Sequence, residues 1–394
     1  MSERPAGQYG VSVVDVSLPP LRARLFYPTA NSSVSALQAP WLPPSESFPH
    51  ETITNVLRFA NIPFASALAM PLHTVGTRTL PAAYGAPLLP SQTISELPVH
   101  IFSHGLGGST GGYNHVCMEL ASCGHVVFAP EHSDGSAFLA RVGGEEIGYA
   151  RYNPLSHGPS ELGFRRSQLR TRVTDLEQTL RNIQSLNSGE QSLQTLPGSP
   201  RAPSFVGRLN LENLHVCGHS FGGATVLAFA KKTRVNAVIC LDAWLRSLLP
   251  EVRNLDVGAA KLLFVDQELS NMRESITARE RLPRMSQRAI CDAVLVEEAT
   301  HNNASDFALR VPKWIAIAAG MTKRGSDPLL LLKRQGQVVL EFLHGDWREF
   351  RERIGNGDVP GIRLAPLGKA RCLGSYNEVE ADKPRAQAEV AAAE

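Results

Sequence analysis

LHVCGHSFGGA, residues 214–224, changes character halfway. Leu214 to Gly218 is a short apolar run suited to a strand buried on both faces. From Ala224 the chain reads ATVLAFAKK (224–232), a helical stretch. Between them stands Gly218-His219-Ser220-Phe221-Gly222. This is a G-x-S-x-G sequence with a strand before it and a helix after it, the context of a nucleophile elbow. Such a turn is tight, so the residues flanking Ser220 must lack bulk, and Gly218, Gly222 and Gly223 meet that demand. The helix N-terminus beside Ser220 offers free N–H groups and a positive dipole end. A turn of small residues without chemistry would share the letters but would not need that flanking context.

Outward from this motif the chain alternates strand and helix. VHIFS (99–103), HVVFA (125–129), AVICL (237–241), KLLFV (261–265) and AVLVE (293–297) are apolar runs of strand length. HVCMELASCG (115–124) reads as a helix. Residues 165–186 do so more strongly, with Leu169, Val173, Leu176, Leu180 and Ile183 at helical spacing. Apolar strands separated by helices predict an α/β fold with a mostly parallel central sheet. Residues 11–28 add two N-terminal strands around a Pro-Pro turn, and 306–318 and 326–343 add C-terminal helices. Residues 29–50 and 187–204 read as loop, and 51–75 as interrupted helical turns. The reading gives one domain over 1–376 and a disordered tail at 377–394.

The chain has 394 residues, 43% hydrophobic and 19% charged, with a net charge of +2. That is ample material for a core, and no global field recruits nucleic acid. No apolar run reaches the roughly 18–20 residues of a transmembrane helix. The start, MSERPAGQYG, lacks a signal-peptide apolar region, and Ser2 stands where myristoylation needs glycine. A cytoplasmic address is the expectation. Cys117, Cys123, Cys217, Cys240, Cys291 and Cys372 are irregularly spaced, which suits free thiols better than a disulfide scaffold or zinc site. Neither G-x-x-x-x-G-K-[ST] nor G-x-G-x-x-G occurs, so no nucleotide cofactor is expected, and no catalytic metal.

A serine hydroxyl needs a base to take its proton. On this kind of fold the order along the chain is Ser, acid, His. Only His301 and His344 follow Ser220. His301 lies just past AVLVE, at a strand end from which it can reach the elbow. His344 lies inside EFLHGDW and reads as a surface residue. Asp242 and Asp266 each end a strand, and either could hold the imidazole. An oxyanion hole needs two N–H donors. Phe221, next to Ser220, is one. The other falls in Ser103-His104-Gly105-Leu106-Gly107-Gly108, after VHIFS, with Leu106 the candidate donor.

SHGLGG, Glu131-His132, GHSFGGATV, CLDAW and the late His301–Phe307 segment occur together in order. In these the chain resembles the platelet-activating-factor acetylhydrolase family, the plasma and type II intracellular group, from about residue 9 to about 365. The resemblance implies the α/β-hydrolase fold and the catalytic residues Ser220, Asp242 and His301. It thereby favours Asp242 over Asp266, and it puts the oxyanion donors on Leu106 and Phe221. It implies calcium-independent hydrolysis of short-chain or oxidised sn-2 acyl esters of phospholipids, without cofactor. A general carboxylesterase or polyester hydrolase, or an inactive hydrolase-like binding protein, are the other readings. Residues 51–70 could lie on a lipid surface or pack as ordinary core. Arg165, Arg166, Arg170 and Arg172 could attract anionic lipid, or form a solvated face.

Overall fold

The computed structural model describes residues 5–30, 37–43, 54, 55, 58, 78–248, 259–270 and 290–365. Strands β1 (Gly10–Leu18) and β2 (Leu21–Thr29) form an antiparallel hairpin around the cis Pro19–Pro20 bond. Short strands β3 (Gln38–Pro40) and β4 (Thr79–Tyr84) extend its edge. β5 (Leu97–Ser103) and β6 (Val126–Pro130) follow, joined through helix α1 (Asn114–Ser122).

Among the described residues β7 (Leu139–Val142) and β8 (Glu145–Gly148) form a separate two-stranded sheet. Their turn is Gly143-Gly144, with φ of 60° and 93°. Two positive φ values suit a tight hairpin turn and need glycine, and this Gly-rich stretch carried no strand expectation. Helix α2 (Glu161–Ser188) contains the expected 165–186 stretch and starts earlier. Ser160 caps it, accepting from Gly163 N–H, and Gly189 at φ 81° ends it. Of residues 187–204, the first two end α2 and Gln194–Thr195 form β9, paired with β1.

β10 (Leu209–His219) runs into helix α3 (Phe221–Ala230), and β11 (Val235–Leu241), β12 (Ala259–Gln267) and β13 (Ile290–Val296) follow. The C-terminal part holds helices α4 (Pro328–His344) and α5 (Trp347–Gly355) and strand β14 (Ile362–Leu364). The expected helix at 306–318 is two short pieces, Phe307–Arg310 and Lys313–Ala318, broken at Val311-Pro312.

Among the described residues one sheet runs β14-β13-β12-β11-β10-β5-β6-β2-β1-β4-β3, with β9 off β1. The run from β13 to β6 is parallel. Period-2 alternation splits the core into two layers. Val99, Ile101, Leu214 and Val216 face α2 and α3, packing with Leu169, Val173, Leu176 and Phe229. Phe102, Val127, Cys217 and Ile239 face α1, α4 and α5, packing with Leu120, Val338 and Phe342. Cys117, Cys123, Cys217, Cys240 and Cys291 are free thiols. Among the described residues no helix is long and apolar enough to cross a membrane. Most of 51–70 and all of 377–394 lie outside the described residues.

Candidate active site

β10 delivers Ser220 at φ 56°, ψ −116°, a conformation that a side chain rarely adopts. Such backbone costs roughly 1–3 kcal/mol and persists only when its surroundings hold it. Here Ser220 N–H donates to Leu241 C=O at 2.9 Å, and Trp244 N–H donates to Ser220 C=O at 2.9 Å. The glycines are steric necessities. A Cβ on Gly222 would sit 2.0 Å from Ser103 C=O, and one on Gly218 would sit 2.3 Å from Gly222 C=O.

Ser220, Asp242 and His301 are brought together. Ser220 Oγ lies 2.9 Å from His301 Nε2, and His301 Nδ1 lies 2.5 Å from Asp242 Oδ2. A carboxylate only accepts, so Nδ1 carries the imidazole proton. The Nε2 lone pair is then free to accept from the Ser220 hydroxyl. Asp242 is 3% exposed, and Gln267 N–H donates to its Oδ1 at 3.3 Å. Burial alone would raise the Asp242 carboxyl. The hydrogen bond and charge of His301, with a hydrogen bond from Ser270, outweigh burial and hold it below the usual range. The imidazole of His301 remains 24% exposed. Asp266 is buried in β12 beside Leu295 of β13, while Asp242 takes the place against His301. His344 stands at the exposed end of α4.

Phe221 is the first residue of α3, so its N–H is among those a helix leaves free. Leu106 follows Gly105, where an added Cβ would sit 3.0 Å from both His219 Nδ1 and Tyr113 Oη. Three polar groups tie this loop to the histidine. Gly105 N–H donates to Tyr113 Oη, Tyr113 O–H donates to His219 Nδ1, and His219 Nε2–H donates to His301 C=O, each at 3.0 Å. Burial and the charge of His301 push His219 down to about 3, so it stays neutral, as these bonds require.

Arg172 corrects the reading of α2's arginines as a solvated or lipid-facing row. It is fully buried, and Arg165 is 4% exposed. The Arg172 guanidinium donates to His104 C=O at 2.8 Å, to Ser136 Oγ at 2.9 Å and to Gly105 C=O at 3.5 Å. It pairs with Asp134 at 3.3 Å and lies 4.7 Å from the centre of the Phe221 ring. One cation thus touches both segments that carry the candidate oxyanion donors. A second chain sits behind them: Ser103 O–H donates to His132 Nε2 at 2.8 Å, and His132 Nδ1–H to Asp175 Oδ2 at 3.1 Å. Tyr113 and Asp175 were not singled out in the sequence, and His219 stood there only as a letter of the elbow motif.

A parallel sheet flanked by helices, with a serine elbow at the end of a central strand, defines the α/β-hydrolase class. A ferulic acid esterase from Streptomyces cinnamoneus shares the fold at 20% identity, with a TM-score of 0.56 over 92% of this chain and 98% of that one. Residues 6–358 match the family described as platelet-activating factor acetylhydrolase, isoform II, and the chain belongs to it. The platelet-activating factor acetylhydrolase of Bos taurus is 28% identical over 377 residues, 91% of this chain and 81% of its own. That of Gallus gallus is 27% identical over 299 residues, 72% and 68%. A putative phospholipase A2 of Schizosaccharomyces pombe is 25% identical over 384 residues, 84% of each.

Proposed function

We propose that the chain is a calcium-independent serine esterase acting on the sn-2 short-chain or oxidised acyl ester of phospholipids such as platelet-activating factor. The observation that carries this reading is the Ser220–His301–Asp242 hydrogen-bond chain at a strained elbow. Family membership supplies the substrate class. Fold alone would not decide it.

His301 takes the proton of Ser220 as the hydroxyl attacks the ester carbonyl. Asp242 holds the ring in the tautomer that leaves Nε2 open and stabilises the imidazolium that forms. Leu106 and Phe221 N–H groups receive the oxyanion, where preorganised donors are worth most. The imidazolium then protonates the lyso-lipid oxygen as it leaves, and an acyl-serine remains. Water, deprotonated by His301, releases the acid and restores Ser220.

The test is acetate release from an sn-2-acetyl phospholipid in excess chelator, beside p-nitrophenyl butyrate. Turnover of both is expected. Turnover of the nitrophenyl ester alone would keep the serine chemistry and remove the lipid substrate. Activity that disappears in chelator would remove calcium independence.

A further inference from the structure

Three adjacent strands put imidazoles where a parallel sheet ordinarily packs Val, Ile or Leu. β5 reads VHIFS, β10 contains LHVCG, and HVVFA leads into β6. His100 and His215 are direct cross-strand partners. His100 also pairs with Val127 of β6, and His125, two residues earlier, shares that face. All three therefore point toward the α1 and α4 side of the sheet. Their rings converge: His100 and His215 centres are 4.6 Å apart, His100 and His125 4.5 Å. One ring nitrogen from each lies within 4.8 Å of the others. His344, the last residue of α4, reaches in from the surface with its Nε2 2.5 Å from His125 Nε2.

As simple packing this cluster is costly. His100, His125 and His215 are at most 4% exposed. His100 Nε2 is 2.7 Å from His125 Nδ1, so that pair is satisfied. His100 Nδ1 and His215 Nδ1 are buried with no hydrogen-bond partner among the described residues. Each orphaned atom costs about 1–3 kcal/mol. An aliphatic side chain would carry no such penalty.

We propose that His100, His125 and His215 form a binding site for a divalent first-row transition ion of the zinc class, distinct from the Ser220 site. Imidazole donors suit zinc, copper and nickel. Burial keeps all three rings neutral, the form that binds metal, and beside His215 the Lys261 ammonium acts in the same direction. His344 accepts from His125 Nε2–H, which turns the Nδ1 lone pair of His125 into the cluster. Such a partner orients a ligating imidazole. Zinc at about 2.0–2.1 Å from each nitrogen needs nitrogens roughly 3.3 Å apart, so the His100–His125 contact opens by about 0.6 Å. The His100 proton then moves to its unpartnered Nδ1. No proton is released, because the rings are already neutral.

His344 also lines a cleft of about 1020 Å³ with Glu119, Lys333, Gln337 and Glu341, so the His344 end of the cluster borders the surface. Lys261, whose ammonium lies 3.3 Å from Phe342 C=O, is a nearby charge that opposes a cation. His100 precedes Ser103 by three residues, roughly 10 Å along the strand, so the ion would stabilise the fold rather than touch the ester.

The experiment uses tag-free full-length protein, stripped with chelator and desalted. Zn²⁺ is titrated by calorimetry and by Tm, and Co²⁺ by visible absorption. Saturable binding of one ion per chain is expected, with a raised Tm and cobalt bands of nitrogen ligation. His215→Val should bind at least about 10-fold more weakly and lose the Tm rise. Because a core variant can disturb folding, His344→Gln is the second probe. It should weaken Zn²⁺ by about 10-fold or more while leaving ester hydrolysis unchanged. No saturable binding by the wild type, or equal binding by both variants, would overturn the proposal and leave the cluster as hydrogen-bonded packing.

Discussion

The molecule carries two serine–histidine–aspartate chains of nearly the same dimensions. Ser220–His301–Asp242 has contacts of 2.9 and 2.5 Å, and Ser103–His132–Asp175 has contacts of 2.8 and 3.1 Å. Everything around them differs. Ser220 stands at φ 56° on an elbow before a helix N-terminus, and its histidine is partly exposed. Ser103 ends an ordinary strand, and Ser103 and His132 are fully buried. Burial raises the Asp175 carboxyl, whereas Asp242 is held below the usual range. Hydrogen-bond distances alone therefore do not make a reactive serine. Access, a strained backbone and free N–H groups beside the hydroxyl separate the two, and the buried chain ties the strand end that leads into His104-Gly105-Leu106 to Asp175 of α2.

The comparison breaks most sharply at the serines. Ser220→Ala should lower turnover by about 10⁶, the loss seen when a serine hydrolase's nucleophile is removed. Ser103→Ala should keep activity within about 10-fold and cost about 1–3 kcal/mol in stability, because His132 Nε2 loses its buried partner. A fluorophosphonate probe with peptide mapping checks this, and labelling at Ser103 would reverse the assignment. The aspartates come next. Asp242→Asn should cut kcat by about 10⁴ through the wrong tautomer, while Asp175→Asn should act chiefly on urea unfolding. A larger kcat loss from Asp266→Asn than from Asp242→Asn would move the acid to β12.

Arg172→Met tests whether the buried polar shell positions the oxyanion donors. Misplacement by about 1 Å can cost about 10²-fold, so kcat should fall to that extent with KM little changed. An unchanged kcat would reduce Arg172 to packing.

The smallest effect is on stability against pH. Burial lowers His100, His104, His125, His132, His215 and His219, the last two to about 3. Below about pH 6.5 the unfolded chain binds protons that these folded rings refuse, so stability falls as pH falls. The raised carboxyls of Glu131, Asp134 and Asp175 act in the opposite direction but are fewer. Tm should therefore drop between pH 7 and pH 5. A flat profile would mean that the buried histidines, His132 included, reach solvent.

What was legible in the sequence was local. The elbow could be read because strand, glycines and helix are contiguous around Ser220. α2 could be read because its apolar residues repeat at helical spacing. Asp242 and Asp266 could not be separated by position, since each ends a parallel strand and only the approach of the His301 loop distinguishes them. Arg172 was misread because a charge one place from Val173 looks solvated until the packing of α2 on α3 is known. The pairing of His100 with His215 depends on register between β5 and β10, which no single strand contains. The β7–β8 hairpin did leave a signal, Gly143-Gly144 between FLARV and EEIG, yet the stretch carried no strand expectation.

β10 and β5 lie side by side, yet β10 continues into α3 on one face of the sheet and β5 into α1 on the other. Two loops that leave neighbouring strands in opposite directions open a crevice by topology alone. Ser220 leaves one lip and Leu106 the other. The slot for an ester therefore predates the choice of any side chain in it. Selection for new substrates is free to work on segments beside the crevice, such as the β7–β8 hairpin, without rebuilding the elbow.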